Sequence, residues 1–156
     1  MLFSTLGDLA LMDFRRFFSR HTRSPFVTGG ILFMLAHLLY ASAFASRARG
    51  VFCAAGVLTA VTMGIGVYLS LILMSRRNGY LTGKRALLLL LYATSEFADC
   101  AAVFACGFPL PASPGIVLFI VSDYFIGMDK AAGDGRLTRY IWLFYSLGQL
   151  LLLLGA

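Results

Sequence analysis

Six runs of apolar residues, parted by short polar connections, divide the 156-residue chain: Met1 to Phe14, Phe26 to Ala45, Val51 to Ser75, Ala86 to Gly107, Ser113 to Met128 and Tyr140 to Ala156. A bilayer core takes about 20 apolar residues per helix, with roughly 17 to 25 tolerated, so each run predicts a membrane-spanning helix. The first is short unless it continues into Phe17 and Phe18 at the interface. Pro25 precedes the second run, Asn78-Gly79 punctuates the third connection, and Pro109, Pro111 and Pro114 mark the fourth, where residues that break helices belong. In the third run Gly64 and Gly66, with Ala54, Ala55, Gly56 and Ala60, offer a small-residue face for close helix approach. There is no internal repeat and no linker long enough to part domains. The expectation is an all-α, polytopic transmembrane bundle of about six helices, one domain over residues 1–156.

Polar residues inside the runs carry the chemistry. Ser122 and Asp123 interrupt GIVLFIVSDYFIGMDK, where an ionised carboxylate costs several kcal/mol or more. Asp8 follows Gly7 in FSTLGDLALM, and the missing glycine side chain lets a helix or a lipid head near the carboxylate. Residues three or four apart share a helix face. His37 and Tyr40 form one such pair and Tyr145 and Gln149 another, while Tyr92, Glu96 and Asp99 make an i, i+4, i+7 row. These groups lie one to three to a run, so helices packed to bring them together would enclose a polar, water-accessible chamber. Two buried carboxylates, Asp8 and Asp123, are costly unless one takes a proton or both reach water. The same separation of roles makes a general acid and a general base. Helix glue, or an ion pair of an aspartate with His37, is the structural alternative. The Tyr92 row belongs either to the chamber or to a separate hydrophilic seam.

Composition fixes the setting. With 60% hydrophobic and 13% charged residues, against roughly 45–50% and about 25% in soluble domains, the chain is an integral, multi-pass membrane protein. The net charge of +6 has no aromatic-interleaved basic stripe, so nucleic acid is not the partner. The five connections hold 4, 2, 4, 0 and 3 Lys and Arg, which predicts a cytoplasmic first, third and fifth connection. Cys53, Cys100 and Cys106 are odd in number and lack CxxC spacing, which predicts buried, inert thiols. The start lacks the basic segment that precedes the apolar stretch of a signal peptide. Asp8, Asp123, Glu96 and His37 are of metal-ligating type, but nothing like HExxH accompanies them, so no metal and no cofactor are expected. A GxSxG elbow is absent too.

STLGDLALM, FMLAHLLYASAF, GIVLFIVSDYFIGMDK and YSLGQLLLL, in this order, resemble the lysoplasmalogenase family of small membrane proteins, which includes the bacterial YhhN proteins. The matching features are a Gly-Asp helix, a His and Tyr three apart, a Leu-Phe-x-x-Ser-Asp helix and a closing Tyr and Gln four apart. Family members usually carry further helices ahead of the Gly-Asp helix, at which this chain begins, and Glu96 and Asp99 have no counterpart in the family motifs. The resemblance implies hydrolysis of the vinyl ether bond of lysoplasmalogens to a fatty aldehyde and a glycerophospho-alcohol. Asp8 and Asp123 would be acid and base in an order the sequence leaves open. His37, Tyr40, Ser122, Tyr145 and Gln149 would orient water and the glycerol end, with Glu96 and Asp99 as further candidates. The partners implied are a single-chain ether lipid and the membrane itself; the oligomeric state is not indicated. Two other classes fit the same residues: a small proton-coupled transporter, since intramembrane carboxylates and His also build proton relays, and a non-enzymatic packing protein.

Overall fold

A computed structural model describes residues 2–11, 25–47, 54–78, 83–107, 109–132 and 135–155. These form six helices, α1 Leu2–Leu11, α2 Pro25–Arg47, α3 Ala54–Asn78, α4 Gly83–Ala105, α5 Ala112–Ala132 and α6 Thr138–Gly155, one for each apolar run. Phe17, Phe18, Cys53, Gly79 and most of the first two connections lie outside the described residues. The chain is an all-helical membrane bundle. Val27–Arg47, Leu87–Ala105 and Ala112–Asp129 are long and apolar enough to cross a membrane, and Gly56–Ser70 is a shorter apolar stretch.

Local chemistry sets the helix ends. Pro25 opens α2, where a missing N–H is harmless. α4 closes through Cys106 N donating to Val103 O and Gly107 N to Phe104 O, and Gly107 takes φ +87°, which a side chain would resist. Pro114, expected in the fourth connection, sits instead in the first turn of α5, whose N–H groups have no intrahelical partner in any case. Between α5 and α6 the carboxylate of Asp129 accepts from the Leu137 N–H at 3.2 Å.

The bundle is apolar outside and polar within. Leu58 and Leu73 are 67% exposed, and Leu39, Leu69, Leu143 and Leu154 also face outward, as lipid-contacting residues do. His37, Ser95, Glu96, Asp99 and Ser122 are buried beside Phe33, Phe119, Ile116, Ile120 and Val103. α1 packs on α2, α2 on α4, α3 on α4, and α5 most extensively on α6; the contacts of α5 with α3 and with α4 are slight. The first, second, fourth, fifth and sixth helices thus surround the polar interior, and α3 lies outside them.

Close approach depends on small residues, since lipid tails give helices no hydrophobic reason to meet. A side-chain carbon on Gly148 would stand 2.9 Å from Gly115 O and 3.0 Å from Phe119 N, so α5 and α6 touch backbone to backbone. On α3, the small face is Gly56, Ala60 and Gly64, whose glycines abut Phe104 and Phe97 of α4. Gly66, which the sequence assigned to this face, points away with nothing within 4 Å of an added carbon, and Ala54 is exposed. A two-residue shift turns a helix position through more than half a turn. Gly148→Val is expected to overpack the α5–α6 contact by about 1–3 kcal/mol and to lower the unfolding temperature in detergent, followed by circular dichroism. Gly66→Ala, with open space for the added carbon, should not lower that temperature.

Candidate functional site

Four side-chain hydrogen bonds tie five helices around the interior. The imidazole of His37 on α2 meets Asp99 on α4, Nδ1 to Oδ2 3.1 Å, with the two side chains 1% and 0% exposed. Tyr92 of α4 donates its hydroxyl to Asp123 Oδ2 on α5. Tyr145 of α6 donates to Asp8 Oδ2 on α1 at 2.7 Å, and Tyr40 of α2 to Gln149 Oε1 on α6 at 3.2 Å. Each aspartate of the expected acid–base pair is therefore held by a phenolic hydroxyl from another helix. Asp8 and Asp123 are both partly buried and lie within each other's electrostatic reach, and Asp123 also feels His37 and Glu96.

Rings fill the space among these groups. Phe119, 1% exposed, stands edge-on to His37 with centroids 4.8 Å apart and tilts against Tyr145 at 5.4 Å. Phe33 meets Tyr145 edge-on at 6.0 Å, and His37 meets Tyr92 at 5.9 Å. Aromatic pairs prefer such edge-to-face and offset contacts, so one ring steers both an imidazole and a phenol. Gly7 serves the same packing: a side-chain carbon there would stand 2.7 Å from the Phe33 ring. What the glycine admits beside Asp8 is thus the neighbouring helix.

The structure gathers Asp8, His37, Tyr40, Glu96, Asp99, Asp123, Tyr145 and Gln149 into one cross-linked interior. The Tyr92 row faces this interior and is no separate seam. Two expectations change. The partner of His37 is Asp99, not Asp8 or Asp123. Ser122, fully buried, donates to the Ile141 carbonyl of α6 at 3.1 Å and touches neither carboxylate in that bond; one helical step of about 100° turns it from the face of Asp123. Its place is to pin α5 to α6. Of the thiols, Cys100 is buried, and the partly buried Cys106 donates to Phe44 O at 3.2 Å. Tyr92 stood in the sequence as one of a row without a site role, and Phe33 and Phe119 carried no mark at all. Each precedes a singled-out residue by one turn, Phe33 before His37 and Phe119 before Asp123, which was the available signal.

Three buried polar atoms in the cluster have no hydrogen-bond partner among the described residues: His37 Nε2, Glu96 Oε1 and Asp99 Oδ1. Among the described residues no three His, Cys, Asp or Glu side chains are arranged to hold a metal ion. The arrangement supplies carboxyl groups from different helices, oriented by phenols and enclosed by rings, in a bundle whose exterior suits lipid.

This is a membrane-embedded helical protein with a carboxyl-rich interior. The model of the YhhN family matches residues 1–156, and the chain belongs to that family. No curated protein and no solved structure matches it.

Removing the Asp99 carboxylate leaves His37 Nδ1 buried without an acceptor, a loss of about 1–3 kcal/mol. Asp99→Ala is accordingly expected to unfold at lower denaturant or temperature than the parent protein. Ser42→Ala, on an exposed turn of α2, should match the parent.

Proposed function

We propose that this protein hydrolyses the vinyl ether bond of lysoplasmalogen-type lipids, releasing a fatty aldehyde and a glycerophospho-alcohol. The observation that carries the reading is the pair Asp8 and Asp123, brought from separate helices into one interior with a tyrosine hydroxyl on each. Membership of the YhhN family supports it.

The chemistry asks little more than such a pair. A proton delivered to the β carbon of the vinyl ether turns the double bond into an oxocarbenium ion. Water adds to that cation while a base takes its proton, and the hemiacetal collapses to aldehyde and alcohol. One aspartate in acid form gives the proton, and the other as carboxylate receives the proton of water and faces the developing positive charge. Tyr92 and Tyr145 fix the carboxyl groups, Tyr40 and Gln149 form the polar wall toward the glycerol end, and His37 holds its place through Asp99. The surrounding aliphatic and aromatic side chains hold the alkenyl chain. Aldehyde release from lysoplasmalogen by the purified protein tests the reading. Asp8→Asn and Asp123→Asn are each expected to lower it by about 10²-fold or more. Full activity in both variants would remove the proposed mechanism.

The excess of Lys and Arg in the first, third and fifth connections supports a cytoplasmic position for them. A cysteine introduced by Thr138→Cys, at an exposed position in the fifth connection, is expected to react with a membrane-impermeant maleimide from that face alone. Labelling from the outside would reverse the orientation.

A further inference from the structure

The scheme above gives His37 a partner at one ring nitrogen and leaves the other unanswered. Nδ1 is taken by Asp99. Nε2, on a side chain 1% exposed, has no hydrogen-bond partner among the described residues. Buried polar atoms in native proteins are nearly always paired, and one left over calls for a water or a ligand. Nε2 carries either a hydrogen or a lone pair, according to the proton count of the pair with Asp99. A hydroxyl both donates and accepts, so it suits Nε2 in either state.

Ring contacts show where this imidazole stands. It meets Tyr92 edge-on at 5.9 Å, and the Tyr92 hydroxyl is on Asp123. It also meets Phe119 at 4.8 Å, and Phe119 lies against Tyr145, whose hydroxyl is on Asp8. His37 therefore borders the supports of both aspartates. One turn further along α2, Tyr40 bonds Gln149 in the wall assigned above to the glycerol end. The imidazole thus stands at the step from the reacting bond to the glycerol.

A lysoplasmalogen has one hydroxyl at that step. Its ether oxygen is on the first glycerol carbon, and the free hydroxyl is on the second, three bonds away. We propose that His37 Nε2 is the seat of this hydroxyl, and that the contact makes the site select single-chain ether lipids. Asp99 is the positioning residue: by holding Nδ1 it aims Nε2. A two-chain lipid brings an ester and a second chain in place of the hydroxyl, to an imidazole that Tyr92 and Phe119 already crowd. A site built to bond a substrate hydroxyl rejects a lipid without one, because its own buried polar atom is then stranded.

The test compares lysoplasmalogen with its analogue bearing hydrogen in place of that hydroxyl. Aldehyde release by the purified parent protein is expected to favour the hydroxyl lipid in kcat/KM by at least about tenfold. His37→Asn keeps an amide for Asp99 near the place of Nδ1 and ends short of Nε2, so it is expected to bring the preference down to about one. A parent without preference overturns the seat. So does a preference that His37→Asn retains while both rates fall together, which marks a resident water or a merely structural histidine. If His37→Asn does not fold, His37→Leu combined with Asp99→Leu is read by the same ratio, since losing both partners is tolerated better than losing one.

The assignment rests on the hydrolase reading, and binding keeps the two apart. A saturated single-chain ether lipid has no vinyl bond to cleave; its hydroxyl form is expected to bind the parent at least about tenfold more tightly than its deoxy form, and His37→Asn is expected to bind the two alike. Equal binding of both forms by the parent overturns the seat. A parent that prefers the hydroxyl form but releases no aldehyde overturns the hydrolase reading and leaves the seat standing. One that releases aldehyde from both lipids equally does the reverse.

Discussion

The fold depends on hydrogen bonds made between helices in an interior walled by apolar side chains. Outside, aliphatic side chains meet the membrane and confer no particular partner. Inside, His37 with Asp99, Tyr92 with Asp123, Tyr145 with Asp8 and Tyr40 with Gln149 each name one atom on one other helix. Bonds of this kind contribute only about 0.6–2 kcal/mol apiece in membrane proteins. Their larger effect is to select one arrangement, because any other packing strands a polar group in an apolar medium.

Glycine and aromatic packing supply what the hydrogen bonds do not. Gly115 and Gly148 let two backbones touch, and Gly7 lets Phe33 reach over α1. Phe119 then lies against both His37 and Tyr145. A polar group is thus oriented twice, once by the atom it bonds and once by the ring it leans on.

Much of this architecture was legible in the sequence. Six apolar runs gave six helices, because a run of hydrocarbon side chains in a membrane has few structural options. The inward residues were also legible, since a carboxyl group or an imidazole amid leucines has nowhere else to go. Pairing was not. Spacing rules speak of one helix at a time, so His37 showed its neighbour Tyr40 but not its partner Asp99. Ser122 was misplaced because adjacency in sequence is not adjacency in space. The close contact of Gly115 and Gly148 left no trace either, for single glycines on two distant helices make no row.

The uneven packing of the helices divides the interior along one seam. α5 and α6, locked backbone to backbone, form one body, and α1, α2 and α4 form another; α5 meets α4 only lightly. The bonds of Tyr92, Tyr145 and Tyr40 all cross between these bodies, while that of His37 with Asp99 stays within one. Asp8 belongs to one side and Asp123 to the other. Parting the seam would break three phenolic hydrogen bonds together with the ring contacts of Phe33 with Phe119 and Tyr145 and of His37 with Phe119. The seam is thus closed by rings as well as by hydroxyls, with one of the two carboxyl groups on either side of it.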